Sequence, residues 1–403
     1  MAEALKPRDG KDVEQAVQWA LAEGRPLEVV GRGSKRALGR PGQSDLTLDL
    51  SGLSGVTLYE PEELVLSARA GTPLAEVEAL VREKGQQLAF EPMDYGPVLG
   101  GSAGDGSLGG ALAANLSGPR RIKAGAARDH FLGVAAVSGR GETFKSGGRV
   151  VKNVTGYDLC KVLAGSFGTL AIMTEVTIKT LPRPETEETV LLVGLDDARA
   201  NAAMTAAMTS ACDVSAAAHL PAGIAAAFDS LDGAATALRL EGFAPSVRHR
   251  KNALIAVLKP FGVPEFFDES RSRAFWLGVR DVKPFCADVS VAERPLWRIS
   301  TAPSHGNALT AMLPRDAQWF YDWAGGLIWA TLPESDDGGA ATIRRATAAL
   351  GGHATLVRAP AAVRAAVDVF EPQNGALATV SKRVKESFDP KGILNPSRMW
   401  AGM

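Results

Sequence analysis

The run Gly104-Asp105-Gly106-Ser107-Leu108-Gly109-Gly110-Ala111-Leu112-Ala113-Ala114-Asn115-Leu116-Ser117-Gly118 constrains this chain more than any other segment. Residues this small leave main-chain N–H groups uncovered, and a helix starting near Ser107 adds its positive end, so the segment suits a diphosphate. The spacing Gly104-x-Gly106-x-x-Gly109 formally matches the dinucleotide fingerprint. That fingerprint needs a hydrophobic strand directly before it and an acid at the end of the next strand. Glu91 to Gly100 contains Pro92 and Pro97 and no apolar run, and Asp129 and Glu142 merely flank the next one, Leu132 to Val137. A nicotinamide-binding unit is therefore not expected here.

With 403 residues, the chain has room for two or three domains with cores of their own. Its hydrophobic fraction of 46% and charged fraction of 22% fit a globular protein, and a net charge of −1 gives no electrostatic footing for nucleic acid. No stretch approaches the roughly 20 apolar residues of a membrane span. The amino terminus, Met1 to Asp9, lacks an apolar core flanked by basic residues, so no signal peptide is expected and the expected location is the cytoplasm. Cys160, Cys212 and Cys286 stand far apart, so this chain alone is not expected to hold an iron–sulfur cluster, which takes about four thiolates. Among His130, His219, His249, His305 and His353 no two have ligand spacing, and no metal site is expected.

Periodicity places the first elements. Val13, Ala16, Val17, Ala20 and Leu21 mark a helix ending at Gly24, and Pro26 to Val30 reads as a strand. Asp45 to Leu50 alternates as a strand with one wet face would, and Thr72-Pro73 opens a helix that ends at Gly85. Pro182 to Glu188 reads as a charged hinge. Beyond it, strands at Thr189–Leu195, Asp213–Leu220, Thr236–Leu240, Trp297–Thr301 and His353–Arg358 alternate with helices at Asp196–Cys212, Ala244–Phe261, Ala340–Leu350 and Ala359–Phe370. This alternation predicts an antiparallel sheet backed by helices, close to a duplicated ferredoxin-like layer.

Four further stretches accompany the glycine-rich run. Val29-Val30-Gly31-Arg32-Gly33-Ser34-Lys35 is an apolar strand entering a glycine turn; Val151 to Leu159 and Gly165 to Val176 follow, and Phe388-Asp389-Pro390-Lys391-Gly392-Ile393-Leu394-Asn395-Pro396 closes the chain. In this order they resemble the FAD-binding domain of the vanillyl-alcohol-oxidase, or PCMH-type, family, and the tail resembles that of its D-2-hydroxyacid dehydrogenases. Phe275 to Asp281 and Leu296 to Ser300 are similar to stretches of the smaller FAD-binding subunits of bacterial glycolate oxidases. The resemblance covers about residues 10–182 and 376–400 and is topological over the middle. It implies an α+β fold: a two-subdomain PCMH-type FAD-binding domain over 1–182, an inserted antiparallel α/β (ferredoxin-like) cap over 183–375, and a segment over 376–403 that returns to the flavin.

The resemblance implies FAD contacts at Gly31, Arg32, Gly33, Ser34 and Lys35, at Gly104, Ser107, Gly109, Gly110, Asn115, Ser117 and Gly118, and at Gly156, Tyr157, Ile172 and Asn395. Read alone, the first loop is equally a plain turn, Asn115 a helix cap and Tyr157 a structural ring. Where some relatives tether FAD through histidine or cysteine, this chain has Arg32, Ser34 and Leu116-Ser117-Gly118-Pro119, so FAD is expected to be non-covalent. Oxidation of a 2-hydroxy acid needs a base for the hydroxyl, a cation for the carboxylate and the α-carbon held against the flavin. Larger relatives supply much of this with a metal-binding HGDGNLH motif, whereas Ser304-His305-Gly306-Asn307-Ala308-Leu309 lacks the second histidine and the aspartate. No catalytic base is assigned; Arg120, Arg121, Lys152 and Arg398 are candidates for the carboxylate and equally readable as surface charges.

The resemblance implies a FAD-binding subunit of a glycolate oxidase complex, oxidising glycolate or a related D-2-hydroxy acid. Its implied partners are a second FAD subunit and an iron–sulfur subunit, with any attachment to the inner membrane made through them. A flavin-bearing assembly subunit without turnover of its own and a stand-alone FAD oxidoreductase are the alternatives.

Overall fold

A computed structural model describes residues 3–42, 44, 46–149, 156–228, 231–286 and 294–403. Val151 to Thr155, including the candidate Lys152, lie outside the described residues.

Strands β1 (Glu3–Leu5), β2 (Leu27–Val30) and β3 (Leu46–Asp49) form a small parallel sheet in the order β1-β3-β2. The helix Gly10–Glu23 covers it with Val13, Val17 and Ala20 and stops at Gly24, whose φ of 63° suits a glycine cap. The expected wet face of β3 is absent. This strand is central and buries Leu46, Thr47 and Leu48, the threonine hydroxyl being satisfied by Glu28 Oε2 at 2.9 Å. The helix after Pro73 runs over Leu74–Glu83, but the Thr72 side chain does not cap it; its hydroxyl bonds Arg69 O at 2.7 Å instead.

Strands β4 (Val56–Glu60), β5 (Val65–Arg69), β6 (Gln86–Gln87), β7 (Phe131–Ser138), β8 (Thr143–Gly147), β9 (Ala171–Lys179) and β10 (Leu181–Pro182) come next. Five of them make an antiparallel sheet in the order β4-β5-β9-β7-β8, and β6 pairs with β10. The expected hinge at Pro182 to Glu188 is not a free linker. A new strand begins at Thr186, and Glu187 is buried, accepting a bond from Ser272 Oγ at 2.7 Å.

Eight strands build the large sheet: β11 (Thr186–Val193), β12 (Ala216–Leu220), β13 (Ala235–Gly242), β14 (Glu265–Phe267), β15 (Leu296–Ser300), β16 (Gln318–Asp322), β17 (Leu327–Thr331) and β18 (His353–Arg358). Their order, β14-β11-β13-β12-β16-β17-β15-β18, places the same four-strand arrangement twice, joined where His219 of β12 pairs with Tyr321 of β16. Each half follows β-α-β-β-α-β order, with helices Asp197–Met208, Ala244–Leu258 and Ala340–Leu350 on one face. Along β11, Val190 and Leu192 face those helices while Leu191 between them joins the core shared with the amino-terminal layers. Both faces are covered, which is why these strands are apolar throughout. The expected helix at Ala359–Phe370 shrinks to Ala361–Ala366.

From the helix Gly375–Phe388 the chain returns to the first sheet. Ile393 O accepts the Leu27 N–H at 2.7 Å, and Asn395 N donates to Leu27 O at 2.9 Å. Beneath this junction the Lys385 ammonium bonds Asp389 Oδ2 at 2.6 Å and Thr169 O at 2.7 Å.

Candidate functional site

Two glycine-bearing segments meet over one open cleft. The loop after β2 supplies Gly31, Arg32, Gly33, Ser34 and Lys35; the helix Leu108–Ala113 and its cap supply Ser107, Gly109 and Gly110; β9 supplies Ile172 and Met173. The approach is close enough that a Cβ on Gly31 would lie 2.3 Å from Ser107 Oγ. That hydroxyl is itself committed, accepting the Gly110 N–H at 3.2 Å as the helix N-cap. The helix is only six residues long and its first N–H groups are already spent, Leu108 N on Thr72 O at 3.0 Å, Gly109 N on Ala70 O at 2.8 Å and Gly110 N on the Ser107 hydroxyl, so the amides that face the cleft come from the loop Gly31 to Lys35.

The charges at this cleft are positive. Among the described residues Lys35 Nζ bonds only a neighbouring hydroxyl, Ser34 Oγ at 3.0 Å, and burial pushes its ammonium down to about 8. Arg398, brought in by the tail, donates to Lys35 O at 2.7 Å, while its Nε is buried with no partner. Burial also pushes the Arg398 guanidinium below its ordinary value. A cleft of main-chain amides with two desolvated cations is complementary to a dianion such as a diphosphate. Phe167, Ala113, Ala114 and Ile172 give the remaining wall an apolar character suited to a flat ring system. The cleft lining contains no cysteine or histidine.

Other residues singled out in the sequence stand elsewhere. Asn395 is buried behind the wall: its Oδ1 accepts the Val29 N–H at 2.8 Å and its Nδ2 donates to Phe167 O at 2.9 Å. A Cβ on Gly168, which has φ +71°, would lie 2.9 Å from that Nδ2. Gly104 receives Asp94 Oδ2 on its N–H at 2.7 Å, away from the lining. Asn115 adopts φ 49° and accepts the Arg128 N–H; Ser117 Oγ accepts the Ala127 N–H; Gly118 O accepts the Trp323 indole N–H at 3.0 Å. None of the three lines the cleft. Gly156 and Tyr157 are exposed, the tyrosine 90% so.

Arg120 is not free for a substrate. Its guanidinium is spent on Glu241, through Nε at 3.1 Å and Nη2 at 2.6 Å, and on Glu91 at 3.1 Å. Lining residues not singled out in the sequence include Val29, Leu50, Ala70, Ala114 and Phe167. Their signal was present in part, since Val29, Ala114 and Phe167 lie inside three of the quoted motifs.

Burial pushes the Cys160 and Cys286 thiols up to about 11, so both remain unreactive thiols near neutral pH. Among the described residues no group of three or more His, Cys, Asp or Glu is arranged to hold a metal ion, and no helix is long and apolar enough to cross a membrane.

Comparison with known proteins bears on this geometry. Residues 2–147 match the model of an FAD binding domain. The glycolate oxidase subunit GlcE of Escherichia coli (strain K12) is 32% identical over 388 residues, spanning 96% of this chain and 96% of that protein. The glycolate oxidase subunit GlcD of Bacillus subtilis (strain 168) is 28% identical over 188 residues, 46% of this chain and 38% of that one. Among solved structures, p-cresol methylhydroxylase with substrate bound superposes with a TM-score of 0.74 over 98% of this chain and 88% of that chain, at 13% identity, a likeness of fold.

Proposed function

Because the chain belongs to the PCMH-type FAD-binding family that includes the glycolate oxidase subunit GlcE, we propose that it is the FAD-binding subunit of a glycolate oxidase or dehydrogenase complex. In this reading it acts on a small D-2-hydroxy acid, beside a second FAD subunit and an iron–sulfur subunit that takes the electrons. The observation that carries the reading is the meeting of Gly31 and Ser107 over a cleft flanked by Lys35 and Arg398.

Bound FAD supplies the two-electron acceptor for oxidation of the α-carbon. The chain's own residues do the holding. Gly31 to Lys35 would present amides and hydroxyls to the diphosphate, and Lys35 and Arg398 would neutralise it, while Gly109 and Gly110 let the helix pack closely against Ala70 and Lys35. Ile172 and Phe167 exclude water from the apolar wall, and Asn395 fixes that wall from behind. Residues 1–182 with 376–403 form the flavin domain in this reading, and 183–375 the cap. FAD is held without a covalent link.

The purified chain is expected to be yellow and to release FAD on heat denaturation. Anaerobic addition of glycolate or D-lactate is expected to bleach the flavin; bleaching that occurs only after the second FAD subunit is added would assign turnover to the pair. A colourless chain that takes up no added FAD would overturn the proposal.

Binding should also depend on pH. Because Lys35 has an acid constant of about 8 without an anion, its charge is complete below that pH and is lost above it. An anion that needs the charge then binds with proton uptake. The Kd for FAD is expected to be flat from pH 6.5 to 7.5 and to rise above pH 8 by up to about tenfold per unit. Lys35→Met should bind more weakly and lose that rise, which titration of flavin fluorescence between pH 7 and 9.5 would check.

A further inference from the structure

Away from the cleft, two guanidinium groups share one indole ring. Arg121 Cζ lies 4.5 Å and Arg298 Cζ 5.0 Å from the ring centre of Trp323. The ring is held from two sides: its N–H bonds Gly118 O at 3.0 Å, and its backbone takes a φ of 51° at the turn after Asp322. Arg121 opens the short helix Arg121–Ala124 and Arg298 sits in mid-strand on β15, so the pair bridges the amino-terminal layers and the large sheet.

Ring contact satisfies the faces of these groups but none of their N–H donors. Among the described residues neither guanidinium makes a hydrogen bond or an ion pair. Both are held below their ordinary values by burial, and Arg121 further by the charge on Arg298. Arg298 has Tyr95 and Asp322 near it, the latter buried and pushed up to about 7 with one oxygen taken by the Trp323 backbone N–H at 2.7 Å, and Arg121 has Asp129, one oxygen of which takes the Ala126 N–H at 2.8 Å; none of them pairs directly with either guanidinium. The His353 imidazole beside them is held down by desolvation and by the Arg298 and Arg121 charges, against Glu371, which raises it. Two half-buried like charges on one rigid platform, with their donors open, are unfavourable until an anion joins them.

We propose that Arg121 and Arg298, set on Trp323, form a binding site for a small carboxylate, the acid group of the 2-hydroxy acid substrate. The assignment rests on the proposed function for the identity of the acid, but the site itself stands on the geometry of the pair. The guanidinium fork matches a planar carboxylate in two N–H···O bonds, which a lysine cannot reproduce. Trp323 ties the site to the glycine-rich run through Gly118, four residues beyond Ala114 at the rim of the cleft.

The test uses the FAD-loaded full chain and two probes, oxalate, which has no oxidisable C–H, and D-lactate, with binding read by calorimetry and by perturbation of the flavin spectrum. Arg298→Leu and Arg121→Leu are each expected to weaken oxalate roughly tenfold to a hundredfold, the loss of one charge-assisted pair, with FAD content unchanged. Arg298→Lys, the fold-sparing control, is expected to recover only part of the affinity, and Trp323→Phe to fall between it and the wild type. Wild-type oxalate binding that the Arg298→Leu, Arg121→Leu and Arg298→Lys variants leave within twofold would overturn the proposal. So would a yellow wild-type protein that binds neither probe, an outcome that leaves the flavin reading standing. A colourless chain that still binds oxalate through these arginines would sink the flavin reading and keep the site.

Discussion

Replacing Arg239 by methionine is expected to destabilise the fold by about 3–5 kcal/mol, the range for removing one partner of a buried ion pair. Arg239 is 1% exposed and lies in the middle of a charge network between the amino-terminal layers and β13. Its Nη1 and Nη2 bond Glu91 at 2.9 and 3.1 Å, its Nε approaches Glu241 at 3.5 Å, and its guanidinium stacks 4.9 Å from the Trp276 ring centre. Burial alone would push Glu91 and Glu241 up, but the Arg120 and Arg239 charges outweigh it and hold both below the ordinary carboxylate range. Both therefore contribute stability that is present above their unfolded value and lost only as pH falls through the depressed folded one. In Arg239→Met, Arg120 remains for both carboxyls and Arg280 for Glu91, too little to offset their burial, so both are expected to move up and the sign to reverse. The variant should gain more stability than the wild type as pH falls from 7.5 to 5; the wild type gains some as well, because Asp322, pushed up to about 7 by burial, takes up a proton in the folded state over that range. Urea denaturation at the two pH values would show it, and a loss under about 1 kcal/mol at both would mean that water, not Arg239, satisfies Glu91. Adding Glu241→Gln should restore part of the loss.

That network also marks where reading residues in order stops working. The clean periods were legible: the helix Ala340–Leu350 shows one face to the core, and the strand His353–Arg358 alternates over its first four residues, with Ala354 and Leu356 buried between exposed His353 and half-buried Thr355. β17, Leu-Ile-Trp-Ala-Thr, was not legible, since Leu327 and Trp329 pack toward the amino-terminal layers while Ile328 and Ala330 pack toward the helices. A strand buried on both faces has no alternation to read. The helix Glu269–Arg280 was missed although Phe275 and Trp276 stood out, because its first turns, Glu269 to Arg273, hold only charged residues and serines and its apolar residues cluster at Ala274 to Val279 without a helical period. Arg120 and Arg121 are adjacent and chemically identical in sequence. Only the fold separates them, aiming one at Glu241 and the other at an indole ring.

The glycine segments were legible for a physical reason: close approach of backbone to backbone demands small residues, and that demand is written locally. The two cations flanking the cleft came from opposite ends of the chain. Lys35 belongs to the first loop, but the approach of Arg398 depends on a tail whose path is decided by one buried ion pair, which no local pattern announces.

Asp389→Ala is therefore expected to act at a distance from the cleft. Asp389 has no exposed side-chain surface and serves three donors: Lys385 Nζ at 2.6 Å, Ile393 N at 3.1 Å and Leu394 N at 2.9 Å. Truncation leaves the Lys385 ammonium buried with only carbonyl partners and two amides without an acceptor, about 3–5 kcal/mol for the charge alone. Releasing the tail requires less than unfolding the molecule, because the tail adds only Ile393 and Leu394 to the core around the parallel sheet. The loss should therefore appear as local opening. Residues 389–403 should become sensitive to protease at temperatures where the large sheet is intact, and FAD affinity should fall at least tenfold as Arg398 leaves Lys35 and Asn395 leaves the wall. Lys385→Met with Asp389→Leu removes both charges but still strands the two amides, so it should recover only part of the loss. Unchanged protease resistance and unchanged FAD affinity in Asp389→Ala would show that the β2 backbone pairing holds the tail by itself. If the tail is released and FAD stays bound as tightly, Arg398 has no part in holding the diphosphate.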